Sequence, residues 1–228
     1  MKVSDIQVTA IHPERWGDDL DVVNAARVSF NKESDYARNW AGDVDGIIER
    51  DEKLINYLAK HKHFSPFNHS FITMRIKAPI FVARQLVKHK FMPWNEVSRR
   101  YVDEEPEFYF PDEGEWRKRA ENIQQGSSEE CYPSSFYITK YIKEDCEQSV
   151  LRYNDLIKNL KISPEQARMV LPQNMMTEWI WSGTLGAWCD MLRLRLDPHT
   201  QYESRIVAQK ARALIEPLFP VSVKALLD

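Results

Sequence analysis

Between Phe67 and Lys77 apolar and polar residues alternate, with Ile72, Met74 and Ile76 on one face, and at Ala78-Pro79 the period changes to the helical spacing of IFVARQLVKHK. A strand that runs straight into a helix, with proline suited to the helix's first turn, limits the chain to folds in which sheet and helix share a core. Ile6, Val8 and Ala10 alternate within 3–11 and predict a second strand. Residues 19–28 predict a short helix ending near Ser29, and 52–60 another, with Leu54, Ile55 and Leu58 at helical spacing. The polar stretch 31–51, with Gly42 and Gly46, reads as a loop or irregular excursion with a short helix. Trp94 to Tyr109 reads as loop, then a short strand near 107–110, and 112–132 is polar without a clear period. The clearest helix covers 134–160, with Ile138, Ile142, Val150, Tyr153, Ile157 and Leu160 as its apolar stripe. Ser163-Pro164-Glu165-Gln166 has a capping-box pattern and opens a helix that stops before Pro172. Met175 to Trp181 is extended, Thr184 to Arg195 helical, and Asp197-Pro198 starts a last long helix to about Ile215. There is neither βαβ alternation nor a repeat of 20–50 residues. The expected fold is α+β over a single domain, 1–228: an antiparallel or mixed sheet in a predominantly helical surround.

A length of 228 residues suits that size. With 43% apolar residues, 7 Trp, 9 Tyr and 10 Phe, the chain can fill a core, which excludes a disordered or low-complexity segment. No apolar run approaches the roughly 20 residues that cross a bilayer, and MKVSDIQVTAIHPERW has no signal-peptide core. Cys131, Cys146 and Cys189 lack any C-x-x-C spacing, so a disulfide scaffold is not expected and a reducing cytoplasm is.

Charge is concentrated. Arg84 to Tyr101 (RQLVKHKFMPWNEVSRRY) holds five Lys or Arg and one Glu, a local +4 on a chain of net charge −3, which leaves −7 elsewhere. That balance opposes wholesale nucleic-acid binding and favours a small anionic ligand. On a helix over 79–90, Gln85 and His89 share one face and Arg84 and Lys88 the next. The plain reading is that Lys88, His89 and Lys90 cap the helix's C-terminus while Arg99 and Arg100 solvate a loop. The interleaved Asn95, Glu96 and Ser98 favour a phosphate or pyrophosphate pocket. Arg168 (in EQARMVLP) and Arg195 (ending LRLRLDP) sit in apolar-rich helices, where a snorkelling or ion-paired arginine is the ordinary alternative; Arg193 is given that ordinary role.

Other patterns carry less. His61, His63 and His69 have a loose metal-like spacing, but no H-E-x-x-H or close carboxylate accompanies them, and no metal is expected. The cysteines have no activating neighbours and read as buried apolar residues. Seven glycines are too scattered for a Rossmann turn or a P-loop, so side chains must hold any nucleotide cofactor. Trp179, Trp181 and Trp188 read as core.

Lys88-His89-Lys90 followed by Asn95-Glu96-Val97-Ser98-Arg99-Arg100-Tyr101 resembles the R-H-R…N-E-x-S-x-R-Y signature of the flavin-dependent thymidylate synthases. AARVSF (25–30), HKHFSPFNHSF (61–71), KAPIFVARQ (77–85), EFYFP (107–111), ARMVLP (167–172) and LRLRLDPHTQYE (192–203) are similar to family segments in family order. Only 31–51 and 112–135 stand outside the likeness. The resemblance implies synthesis of dTMP from dUMP with methylenetetrahydrofolate as carbon donor, FAD as hydride carrier and NADPH as reductant, and no enzyme nucleophile on the uracil. It further implies a homotetramer with active sites at subunit contacts, with dUMP and folate as small-molecule partners and neither nucleic acid nor membrane.

Carried over residue by residue, Gln85, Lys88, Ser98, Arg100, Arg168 and Arg195 fall at substrate positions. Ser98 and Arg100 would hold the phosphate, and Arg195, the catalytic candidate, would stabilise negative charge on the ring. Ser29, Ser65, Lys88, His89, Lys90, Glu96, Thr184 and Asp190 fall at flavin positions, and His63 and His199 at pocket histidines near folate or the isoalloxazine. The chain departs from the family where R-H-R is K-H-K, which loses the bidentate guanidinium fork. It also departs at Thr184, Gly186 and Asp190, where the family has N-x-R and then Asn. These departures motivate two alternatives in the same family, a C5-hydroxymethylase and a dCMP-modifying enzyme. A non-catalytic nucleotide or RNA-binding module and a metal-dependent hydrolase are alternatives of other classes.

Overall fold

The computed structural model describes residues 1–101, 104–121 and 126–228, so parts of the 94–109 and 112–132 readings lie outside the described residues. In chain order the elements are β1 (Lys2–Val3), β2 (Gln7–Ala10), α1 (Asp19–Arg27), α2 (Glu49–Lys60), β3 (Phe71–Pro79), α3 (Ile80–Leu86), β4 (Trp94–Glu96) and β5 (Glu107–Phe108). They continue with α4 (Phe136–Lys158), α5 (Pro164–Ala167), β6 (Met176–Thr184), α6 (Leu185–Arg195), α7 (Tyr202–Ile215) and α8 (Pro220–Leu227). The main sheet has the order β2-β3-β6-β4 and is antiparallel throughout; β1 and β5 form a separate parallel pair.

β3 and β6 pair along their whole length, from Phe71 opposite Thr184 to Pro79 opposite Met176. Alternation puts Ile72, Met74, Ile76 and Ala78 of β3, with Trp179 and Trp181 of β6, on the buried side. On the other side Thr73 bonds Ser182 across the ladder at 3.0 Å and Arg75 pairs with Glu178 at 2.6 Å. Trp181 packs on Trp188 of α6, with ring centroids 5.0 Å apart, and Trp94 stacks on Trp179 at 4.3 Å. The three tryptophans assigned to the core are all buried. That core continues through α1, α2, α7 and α8. A smaller cluster of Phe108, Phe110, Cys146 and Met175 seats α4.

Several boundaries differ from the sequence reading. The helix expected over 79–90 ends at Leu86; His89 N–H turns back to the Leu86 carbonyl and Phe91 takes a left-handed φ of 60°, so Lys88 to Lys90 lie beyond the helix. Trp94–Glu96, read as loop, is an edge strand on β6, too short to show a period. The strand expected from Phe67 begins at Phe71, behind a 3₁₀ turn over Ser65–Asn68. Ser163 makes no side-chain cap, and the helix it precedes is one turn plus a 3₁₀ turn over Arg168–Val170. The last long helix starts at Tyr202, because Asp197 spends its carboxylate on His199 N–H at 2.7 Å and Thr200 N–H closes a turn on the Asp197 carbonyl. The stripe on α4 is shallow: Cys146 and Tyr153 are its buried residues, and Leu160 beyond its end is exposed. The sequence reading ends its last helix near Ile215, whereas a further helix, α8, follows after four residues.

The two ends of the chain are clasped together. α1 opens with a capping box, in which Asp18 accepts from Leu20 N–H at 2.8 Å and Asp21 accepts from Asp18 N–H at 3.0 Å. Gly17 precedes it with φ +83°, and a Cβ there would meet the Asp21 carboxylate at 2.3 Å, so both backbone and space require glycine. Asp19, the first residue of α1, is buried and accepts from Val221 N–H at 2.7 Å and Ser222 N–H at 2.9 Å in the first turn of α8. Those donors have no partner within their own helix. Asp19→Ala strands them in the core, and urea unfolding is expected to show a loss of about 1–3 kcal/mol, with Asp19→Asn losing less because its amide oxygen still accepts.

Candidate active site

Both central strands pass into helices without a loop, at opposite ends of the ladder. β3 gives way to α3 after Pro79, and β6 gives way to α6 after Thr184. A nine-residue strand spans about 30 Å, while seven helical residues advance about 10 Å and eleven about 16 Å. Both helices run back over the tryptophan face, and their C-terminal ends meet.

Arg195, the last residue of α6, lies at that meeting point. Its Nη2 donates to the Gln85 carbonyl at 3.2 Å, one of the α3 carbonyls left without a helical partner. Its Nε donates to His89 Nε2 at 2.9 Å, so this imidazole nitrogen carries a lone pair and the proton sits on Nδ1. Burial, with the Arg195 charge second, pushes the His89 pKa down to about 4. Burial also lowers the Arg195 pKa, but a guanidinium starts so high that it stays charged. His89 is braced from behind by Trp181, at 6.1 Å between ring centroids.

The Gln85 side chain faces α7. Its amide nitrogen donates to Gln201 Oε1, its oxygen accepts from the Ser204 hydroxyl at 3.1 Å, and Gln201 donates to buried Glu203 at 3.0 Å. Gln201, Ser204 and Glu203 were not singled out as site residues, although two of them lie inside the quoted segment LRLRLDPHTQYE; their shared role appears only once α7 packs beside α3.

The structure brings Gln85, His89 and Arg195 together. A second group forms beyond Pro93. Ser98 Oγ accepts from both the backbone and Nε of Arg100 at 3.3 Å, with Arg100 exposed. Glu96 accepts from Thr177 at 2.7 Å and from Trp94 Nε1 at 3.1 Å. Lys88 and Lys90 are exposed and form no ion pair with described residues. Other candidates lie elsewhere in the chain's own contacts. Arg168 is exposed on its 3₁₀ turn, bonded among the described residues only to the Glu165 carbonyl at 3.2 Å, and does not join Arg195 within the chain. Ser29 and Ser65 are exposed on separate 3₁₀ turns. His63 lies beside Tyr57 and His61, and His199 bonds Asp197.

The departing positions are committed within the chain. Thr184 caps α6 by accepting from Ala187 N–H and donates to Asn68 at 2.8 Å. The Asn68 oxygen stands 2.7 Å from where a Gly186 Cβ would lie, so Asn68 fills the space of a side chain at 186. Asp190 pairs with Arg193 at 2.7 Å, which gives Arg193 the structural role expected of it. Burial raises the Cys146 thiol and pushes Cys189 to about 12, the opposite of activation. His61, His63 and His69 form no metal-sized group with other ligand-type side chains among the described residues, and no described helix is long and apolar enough to cross a membrane.

The family model described as thymidylate synthase complementing protein matches residues 13–221. The flavin-dependent thymidylate synthase of Pseudothermotoga lettingae is 35% identical over 91% of this chain and 84% of its own, and that of Kosmotoga olearia 36% identical over 94% and 88%. The crystal structure of the UMP/dUMP methylase PolB from Streptomyces cacaoi bound with 5-Br dUMP matches with a TM-score of 0.83 at 28% identity, over 99% of this chain and 96% of that one. A second structure of that protein, bound with 5-Br UMP, matches with a TM-score of 0.79 at 26% identity, over 100% of this chain and 96% of that one. Likeness across nearly the whole length, in sequence and in fold, establishes that the chain belongs to the flavin-dependent thymidylate synthase family.

Proposed function

We propose that this protein methylates dUMP to dTMP, with methylenetetrahydrofolate as carbon donor, FAD as redox cofactor and NADPH as reductant. The observation that carries the reading is Arg195: a charged guanidinium, half-buried, anchored at two of its N–H groups and with the rest unbonded among the described residues. Anchored donors stabilise developing charge without reorganising when it appears. In the proposed site Arg195 faces the uracil, Gln85 presents its amide, and Ser98 and Arg100 bind the phosphate. The buried Cys146 and Cys189, their thiols raised by burial, support a route with no thiolate attack on the ring.

Bound flavin supplies the reducing equivalents for conversion of the transferred carbon to a methyl group. Its pyrophosphate suits the exposed and uncompensated charges of Lys88 and Lys90, assisted by Ser29 and Ser65, while His89 keeps only its Nδ1–H to offer. A lysine pair holds phosphate as point charges rather than forks. Thr184, Gly186 and Asp190 add no cation, so cofactor affinity rests more heavily on the lysines. Arg168 stands apart from Arg195 in its own chain, which supports the proposal that a second subunit supplies it in a homotetramer. Exposed Phe136, Tyr137, Tyr141 and Leu151 on α4 support burial of that helix in such an assembly. The shared core from Ile6 to Leu226 supports one domain over 1–228, and the free thiols support action in a reducing cytoplasm.

A second reading, that UMP is accepted as well, is favoured by the likeness to a UMP/dUMP methylase. Purified protein reconstituted with FAD is expected to oxidise NADPH in a manner dependent on dUMP and methylenetetrahydrofolate, and to yield dTMP by mass spectrometry. A hydroxymethylated product, turnover of dCMP alone, or no nucleotide-dependent oxidation would overturn the assignment. Arg195→Lys keeps the charge but loses the anchored geometry, and its kcat is expected to fall about 10²-fold or more.

His89 also gives a pH signature independent of turnover. Its folded pKa of about 4 lies below the ordinary histidine value near 6.5. Between those values the unfolded chain binds the extra proton, so stability rises with pH across the window and is lost as pH falls through it. Melting temperatures from pH 7 to pH 4 should therefore drop more steeply for the wild type than for His89→Asn.

A further inference from the structure

The segment around Arg117 is polar with no clear period in the sequence, yet it sends one side chain to the edge of the proposed site. Arg117 ion-pairs with Glu203, stacks at 4.5 Å on the ring of Tyr202, and donates from Nε to Ser127 at 2.9 Å. Both members of the ion pair are largely buried, with side-chain exposures of 18% and 5%. Trp116 Nε1 ties the same segment to Thr139 of α4 at 2.9 Å. Glu203, Gln201, Arg117 and Trp116 line one cavity of about 590 Å³, so the pair stands at the boundary between this segment and α7.

From Arg117 the hydrogen bonds run Glu203, Gln201, Gln85, Ser204. Three of these groups can reverse. An amide can turn over, exchanging its donor for its acceptor, and a hydroxyl both donates and accepts. The guanidinium only donates and the carboxylate only accepts. With Arg117 on one carboxylate oxygen, the other takes the Gln201 N–H, which leaves the Gln201 oxygen to accept from Gln85 and the Gln85 oxygen to accept from Ser204. The Glu203 carboxylate therefore sets the polarity of the amide at the other end, and Arg117 holds that carboxylate where Gln201 meets it, so that without the guanidinium it is free to turn away and release the relay. Gln85 keeps one free N–H and one free lone pair, each in a fixed place.

We propose that Arg117 is a positioning residue that fixes which way round the Gln85 amide faces the nucleotide base, and so biases the site toward uracil over cytosine monophosphates. This rests on the reading of the site given above. Uracil offers an N3–H donor beside the O4 acceptor, and cytosine reverses both. With the base held by its phosphate and by Arg195, a locked amide serves one pattern, while an amide free to turn serves either.

The test is calorimetric titration of dUMP and dCMP into the FAD-reconstituted protein, comparing wild type, Arg117→Ala, Arg117→Lys, Glu203→Gln, Gln85→Ala and the double variant Arg117→Ala/Gln85→Ala. Arg117→Ala is expected to weaken dUMP binding about tenfold and to narrow the preference over dCMP. Arg117→Lys should restore most of both. Glu203→Gln keeps the volume but makes the polarity reversible, and should reproduce the narrowing even if Arg117→Ala fails to fold. In the Gln85→Ala background, removing Arg117 should cost little more, since the loss passes through Gln85. Additive losses, or a dUMP to dCMP ratio unchanged in Glu203→Gln, would overturn the relay while leaving the assignment of the site intact. A wild-type protein that binds neither nucleotide would overturn both.

Discussion

The nine-residue ladder between β3 and β6 is the constraint from which the rest follows. Its two strands are antiparallel and each turns into a helix without a loop, so α3 and α6 must start at opposite ends of the sheet and approach one another. Arg195 then arrives at the exposed carbonyls of α3 because of strand register, and a slip of one residue would move every side chain to the wrong face. The buried tryptophans hold that register: Trp181 braces both α6 and His89, and Trp94 fastens the edge strand that carries Glu96 toward Ser98.

At the meeting of the two helices, charge and desolvation are arranged in opposite senses. Arg195 is held where solvent is scarce but keeps its proton, because a guanidinium yields it only far above neutrality. His89, beside it, is held neutral by the same burial and by the arginine's own charge, and so acts as an acceptor for that arginine. The cationic lysines on either side of it in the chain, Lys88 and Lys90, stay exposed. The single stretch of positive charge in the sequence therefore divides into a half-buried neutral ring and a solvated cationic rim.

The departing positions show how a local change is absorbed. Where a guanidinium is expected at 186 there is a glycine, and Asn68 occupies the space and accepts from Thr184. Asp190 turns to Arg193 on the same helix. These contacts satisfy the groups internally without disturbing the Arg195 cluster.

Sequence alone carries the family, the strand that becomes a helix at Pro79, the burial of Trp179, Trp181 and Trp188, the lack of activating neighbours around the cysteines, and the candidacy of Gln85, His89 and Arg195, which the fold then brings together. Those properties are written in local period, residue type and motif spacing, which the chain carries wherever it is folded. The end of α3 at Leu86 and the strand at Trp94 escaped it, because a helix stop without glycine and a three-residue strand have no periodic signature. So did the Asp19 clasp on α8, the approach of Gln201, Ser204 and Glu203 to Gln85, and the arrival of Arg117 beside Glu203. Each of these joins residues about 80 or more positions apart, and only the packing of α7 and α8 against the sheet and its helices brings such partners within hydrogen-bonding distance.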